Sequence, residues 1–174
     1  MADAPLRRAL VLTISDGVAA GTRQDESGAA LAARLEALHF EVERATVPDE
    51  MDAIAQQVSA STSRCALIVT TGGTGLGPRD VTPQSLHGLL DYEIPGFGEQ
   101  MRAYGRARTP LADLSRSFAG VLGSSLVVCV PGSTGGALDS LSAIEPILDH
   151  ALETLGGYTQ HANKHPAQQS EKPG

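Results

Sequence analysis

Three short, nearly unbroken apolar runs organise the chain. They lie at residues 8–15, 66–70 and 126–130, with cores Ala9-Leu10-Val11-Leu12, Leu67-Ile68-Val69 and Leu126-Val127-Val128-Cys129-Val130. Runs of this length and β-branched content predict strands covered on both faces. Residues 40–47 alternate polar and apolar, from Phe40 to Val47, and predict a more exposed strand. Between the strands the period changes to that of a helix. Asp25 or Ser27 opens a segment with Leu31, Leu35 and Leu38 on one side. Asp49 is placed to cap a helix holding Met51, Ile54, Ala55 and Val58. Thr82 before Pro83 reads as an N-cap and first helical residue, leading to Leu86, Leu89 and Leu90. Pro95-Gly96-Phe97-Gly98 predicts a break, followed by a helix over 99–108 and a short helical turn spanning 111–118. The last helix is expected from about 137 to 155 and carries Leu138, Leu141, Ile144, Ile147, Leu148 and Leu152.

Strands alternating with helices predict an α/β fold, a three-layer, mainly parallel sheet with helices on both faces. Residues 1–156 read as one domain, and residues 157–174 as a polar, flexible tail. In such a sheet ligands bind beyond the carboxyl ends of the strands. Ser15-Asp16-Gly17, Thr71-Gly72-Gly73-Thr74-Gly75 and Pro131-Gly132-Ser133-Thr134-Gly135-Gly136 have that address, and Pro48-Asp49-Glu50 follows the second strand.

Composition narrows the chemistry. The 174 residues carry a net charge of −7 and no tryptophan, so the core is aliphatic and a broad nucleic-acid surface is not expected. The cysteines, Cys65 and Cys129, fall in or beside apolar runs and read as buried thiols. Residues 1–8 hold no apolar stretch before a cleavage site, and no run approaches the ~20 residues of a membrane span. A cytoplasmic location without membrane contact is the expectation. His161 and His165 read as part of a solvated tail.

A glycine-dense loop between a buried strand and a helix brings backbone N–H groups close to an anion, which makes phosphate chemistry the first hypothesis. Neither glycine loop is a Walker A sequence, since no lysine precedes Lys164. The dinucleotide spacing also fails, because the sixth position counted from Gly73 is Pro78. A different nucleotide or phosphorylated-ligand loop remains. Each candidate residue has an ordinary alternative. Asp49 could only cap a helix, and Asp80 could only form an Asx turn before Thr82. Arg79 could be a surface arginine, and Ser115-Arg116 a cap and a solvated cation. Thr71 and Thr74 could bond only their own turn, and Ser15 and Asp16 could form an ordinary turn. Gly72, Gly73 and Gly75 could serve only a tight loop, while Pro131-Gly132-Ser133 could simply start the last helix.

The run Thr71-Gly72-Gly73-Thr74-Gly75 through Pro78-Arg79-Asp80-Val81-Thr82-Pro83 resembles the signature of the Mog/MoaB-type molybdopterin-binding family. That family includes molybdopterin adenylyltransferases and the matching domains of plant and animal molybdenum-cofactor proteins. Ile14-Ser15-Asp16, Val47-Pro48-Asp49-Glu50, Pro95-Gly96-Phe97-Gly98-Glu99, Leu114-Ser115-Arg116 and Pro131-Gly132-Ser133 agree in order, so the resemblance covers residues 8–156. It implies that the phosphate of molybdopterin, a pyranopterin dithiolene, attacks the α-phosphate of Mg-ATP to give adenylyl-molybdopterin and pyrophosphate. It implies catalytic roles for Asp49 and Asp80, which would hold Mg²⁺ directly or through water. It further implies ligand binding by Ser15, Asp16, Thr71, Gly72, Gly73, Thr74, Gly75, Arg79, Ser115, Arg116, Pro131, Gly132 and Ser133. A homotrimer and a downstream molybdenum-insertion protein belong to the same expectation. A non-catalytic molybdopterin-binding or carrier protein of the same family is the alternative.

Overall fold

The three apolar runs become neighbours at the centre of one sheet. A computed structural model describes residues 7–157, so the expected tail beyond Gly157, with His161 and His165, lies outside the described residues. The strands are β1 (Arg7–Ile14), β2 (Phe40–Val47), β3 (Leu67–Thr71), β4 (Tyr92–Glu93), β5 (Phe118–Leu122) and β6 (Ser125–Val130). Their order across the sheet is β2-β1-β3-β6-β5-β4. The first four in that order run parallel, and β5 pairs antiparallel with both β6 and β4. The expected mixed α/β architecture with a mostly parallel sheet is therefore present. The antiparallel hairpin is an addition, closed by the turn through Gly123, whose φ of 60° suits glycine.

The helices are α1 (Asp16–Ala19), α2 (Glu26–Ala37), α3 (Met51–Ser61), α4 (Thr82–His87), α5 (Pro95–Arg106) and α6 (Thr134–Leu155), with a 3-10 turn at Pro110–Leu114. Alternate residues of each central strand face opposite layers. Ala9, Val11, Leu67, Val69, Leu126 and Val128 pack under α2, α5 and α6. Leu10, Leu12, Ile68 and Val127 pack under α3 and α4 through Ile54, Val58 and Leu86. Each fully buried Leu or Ile contributes about 1.5–3 kcal/mol relative to exposure. The edge strand β2 carries charge: Arg8 donates to Glu43 at 2.6 Å and Arg64 to the same carboxylate at 3.1 Å. Such charges discourage pairing with another chain.

Four local expectations are corrected. Pro95 does not break the chain but starts α5, because its fixed φ and missing N–H are harmless in a first turn. Gly98 then allows close packing, since a Cβ there would lie 2.7 Å from the Ser117 carbonyl oxygen. The segment 111–118 is not one helical turn. It leaves the 3-10 turn at Ser115 in extended conformation, and Phe118 begins β5. The Arg116 N–H donates to the Thr74 carbonyl at 2.9 Å, a tertiary bond that pulls the chain straight. Asp49 does not cap α3: Glu50 holds the cap position without a side-chain bond. Thr82 is the first residue of α4 rather than its cap, and its hydroxyl donates instead to the Gly72 carbonyl at 2.9 Å.

Candidate functional site

The exits of β3 and β6 lie side by side, and glycine makes that possible. Gly72 has φ +108°, and a Cβ there would stand 2.3 Å from the Ile14 carbonyl oxygen. A Cβ on Gly132 would lie 3.1 Å from the Gly72 Cα, so the two glycine loops touch backbone to backbone. Thr71 joins them from below, its hydroxyl donating to the Pro131 carbonyl at 2.8 Å. Ser133 caps α6, accepting from the Gly136 N–H at 3.3 Å.

Above these exits is a pocket of about 670 Å³, within the range usual for small-molecule sites. Its floor is formed by Gly73, Thr74 and Gly75 on one side and by Pro131, Gly132 and Ser133 on the other. Its wall includes Met101, Leu111 and Leu114, and Ser115 also reaches it. Leu111 and Leu114 are large exposed apolar side chains, which suits contact with a ligand rather than a core. The start of α6 adds the partial positive charge of a helix N-terminus to the floor.

Asp80 is folded back onto the glycine loop. Its Oδ2 accepts from the Gly77 N–H at 2.7 Å, while Oδ1 has no partner among the described residues. A Cβ on Gly75 or Gly77 would come within 2.9 or 2.8 Å of Oδ2, so both glycines make room for this carboxylate. Arg116 is a strut for the same loop. Its Nε donates to the Gly75 carbonyl at 2.8 Å and its Nη2 to the Asp80 carbonyl at 2.6 Å.

The remaining candidates form a separate cluster at the ends of β1 and β2. The Asp16 N–H donates to Asp49 Oδ2 at 2.9 Å, and the Asp49 N–H donates to Asp16 Oδ1 at 3.0 Å. Arg79 grips Asp16 with contacts of 2.8, 2.9 and 3.1 Å. The Asp49 N–H and then the Arg79 guanidinium hold the Asp16 carboxyl below its ordinary value, and the hydrogen-bonded Asp16 carboxylate in turn raises Arg79. Ser15 caps α1 by accepting from the Val18 N–H.

The structure thus brings together Gly73, Thr74, Gly75, Asp80, Ser115, Pro131, Gly132 and Ser133 around one pocket. Ser15, Asp16, Asp49 and Arg79 are not among its lining residues. Thr71 and Gly72 lie beneath it and Arg116 behind its loop. Two charged lining residues escaped the sequence reading, Arg102 on α5 and Asp139 on α6. Arg102 donates through Nη1 to the Ser117 carbonyl at 2.8 Å. Neither lies in a glycine motif, and both sit on amphipathic helices whose polar positions look like ordinary solvated faces. The available signal for Asp139 was that α6 starts at the Pro131-Gly132-Ser133 strand exit; nothing comparable marked Arg102, since α5 follows Ile94 directly.

Residues 10–150 match the family described as "Probable molybdopterin binding domain". The chain is 42% identical over 152 residues to a molybdenum cofactor biosynthesis bifunctional protein of Chlorobaculum tepidum, a match covering 86% of this chain and 49% of that protein. The chain therefore spans about half the length of that relative. It is 34% identical over 160 residues to a molybdopterin adenylyltransferase of Helicobacter pylori, covering 86% of this chain and 89% of the relative. Among solved structures, the molybdopterin biosynthesis enzyme MoaB of Thermus thermophilus superposes with a TM-score of 0.78 at 42% identity, covering 87% of this chain and 98% of that one.

Proposed function

The chain belongs to the molybdopterin-binding domain family, and on that premise we propose that it is a molybdopterin adenylyltransferase of molybdenum-cofactor biosynthesis. The carrying observation is Asp80, a carboxylate anchored by the Gly77 N–H beside a pocket floored by two glycine loops. The terminal phosphate of molybdopterin attacks the α-phosphorus of ATP. A new P–O bond forms, the bond to the β-phosphate bridge breaks, and pyrophosphate leaves. The floor suits this reaction, because backbone N–H groups and the α6 N-terminus favour anions without a permanent cation.

Bare carboxylates repel phosphate oxygens, so Asp80 would act by holding Mg²⁺. Mg²⁺ is commonly held by one or two carboxylates, with water and substrate phosphates completing its shell. The unpartnered Oδ1 of Asp80 fits that requirement. When bound, the ion would neutralise charge developing on the transferred phosphate and pyrophosphate. Asp49 is the second proposed carboxylate. Its Oδ2 is engaged by the Asp16 N–H, so a role through metal-bound water suits it. Ser15, Asp16 and Arg79 are assigned to the nucleotide side, and Ser115 to the pterin-phosphate end. Thr71, Gly72 and Arg116 support binding by shaping the loops that Gly73, Thr74, Gly75, Pro131, Gly132 and Ser133 present to the ligand.

The proposal extends to one domain over 1–156, a homotrimer, a cytoplasmic location and delivery of the product to a molybdenum-insertion protein. No helix among the described residues is long and apolar enough to cross a membrane.

The decisive measurement is pyrophosphate release from ATP on addition of molybdopterin. Asp80→Ala is expected to lower turnover by about 100-fold or more, the scale of losing one electrostatic stabiliser of a transition state, while retaining pterin binding. Tight pterin binding by the wild type without pyrophosphate release would instead make it a carrier. Full turnover by Asp80→Ala would remove that residue from the chemistry.

A further inference from the structure

We infer that Asp139 reads the ligand's heterocycle, accepting two hydrogen bonds from a ring edge that presents an amino group beside a ring N–H. This is the 2-amino-4-oxo edge of a pterin, and the inference rests on the reading that the pocket takes a pterin.

Three charged side chains line the pocket: Asp80, Arg102 and Asp139. The first two are engaged, Asp80 by the Gly77 N–H and Arg102 by the Ser117 carbonyl. Asp139 makes neither a hydrogen bond nor an ion pair among the described residues, and Arg102 does not neutralise it. It is half-buried in the second turn of α6, beyond the Ser133 cap. A carboxylate beside an apolar wall loses hydration when the pocket fills, and without new donors that loss is unfavourable. The occupant must therefore donate to it.

A phosphate cannot donate and is repelled by the like charge. The phosphate end of the ligand belongs over the glycine floor, and the ring end near Asp139 and the apolar side chains of Met101 and Leu111. The two oxygens of a carboxylate are both acceptors. An adenine edge offers a donor beside an acceptor, so one of its two positions opposes a lone pair. The pterin edge offers the 2-amino group and N3–H, donors at both positions. Asp139 thereby separates the two heterocycles that this enzyme must keep apart.

The test compares 6-hydroxymethylpterin with 6-hydroxymethyllumazine, in which a 2-oxo group replaces the amino donor, by fluorescence titration. Wild-type protein is expected to bind the pterin about tenfold or more tightly, the effect of one well-placed hydrogen bond. Asp139→Asn presents one acceptor and one donor. It is expected to lose about tenfold in pterin affinity and to bind lumazine at least as well as the wild type. Retained lumazine binding also shows that the variant is folded. Equal pterin affinity in the two proteins, lack of discrimination by the wild type, or failure of the wild type to bind either ring would overturn the inference. The parent reading has its own test, and fails if wild-type protein releases no pyrophosphate from ATP with molybdopterin.

Discussion

Gly72 shows how much of this site rests on single backbone positions. Its φ of +108° is unfavourable for a side chain, and the Ile14 carbonyl oxygen occupies the space a Cβ would need. The dihedral alone costs about 1–3 kcal/mol for alanine, and the clash must also separate β1 from the loop after β3. Gly72→Ala is expected to lower stability by about 3 kcal/mol or more, read from the urea midpoint at unchanged slope. Asp16 makes a prediction in pH. Its folded carboxyl titrates below the ordinary value of 3.8, chiefly through the Asp49 N–H and then Arg79. It therefore stabilises the fold above the unfolded value, and that contribution disappears as pH falls from 3.8 through the lower folded value. Asp16→Asn should flatten the stability profile in that acidic window, measured by urea titration at successive pH values. An equal acid slope in both proteins would show that the Asp16 clasp contributes nothing.

At the scale of elements, Asp25 ties three together. It caps α2 by accepting from the Gly28 N–H at 2.9 Å, accepts from the Thr13 hydroxyl of β1 at 2.9 Å and pairs with Arg44 of β2 at 2.6 Å. Asp25→Ala is expected to cost about 2–3 kcal/mol, a cap of ~1 kcal/mol plus the stranded Thr13 hydroxyl. Asp25→Asn, which keeps an acceptor for the cap, should cost less by thermal melting. The cap was legible because Asp25 stands just before the Leu31-Leu35 stripe. The behaviour of Asp49 and Thr82 was not. Each has the residue type and position of a cap, yet each bonds outside its helix: Asp49 accepts from Asp16 after β1, and Thr82 donates to Gly72 at the far end of the glycine loop. Local propensity cannot weigh a tertiary partner against a helix end. Pro95 was misread for a related reason, since the same residue stops a helix from inside and starts one at its first turn.

Across the whole molecule, the sheet determines which groups are reactive. Cys129 lies in β6 between the two layers, and burial pushes its thiol up to about 12. Burial likewise raises the Cys65 thiol. Both should resist an aromatic disulfide reagent at pH 8 in the folded protein and react together in denaturant; rapid native labelling would contradict this burial. The sheet also sorts the candidate residues. Apolar runs and helical stripes were sufficient to specify a layered, mostly parallel α/β fold, because strand and helix periods are local properties of the chain. The motif from Thr71 through Pro83, with its companion blocks, likewise identified the family from sequence order. Only the tertiary structure decided that Asp80 lies at the pocket while Asp49 clasps Asp16, and that Arg116 braces the loop while Arg102 faces the ligand space. It also brought Asp139 from an ordinary helical position to the pocket wall. Sequence specifies which groups are available, whereas their partners depend on strand order and backbone contacts, such as Gly132 against Gly72, that join residues far apart in the chain.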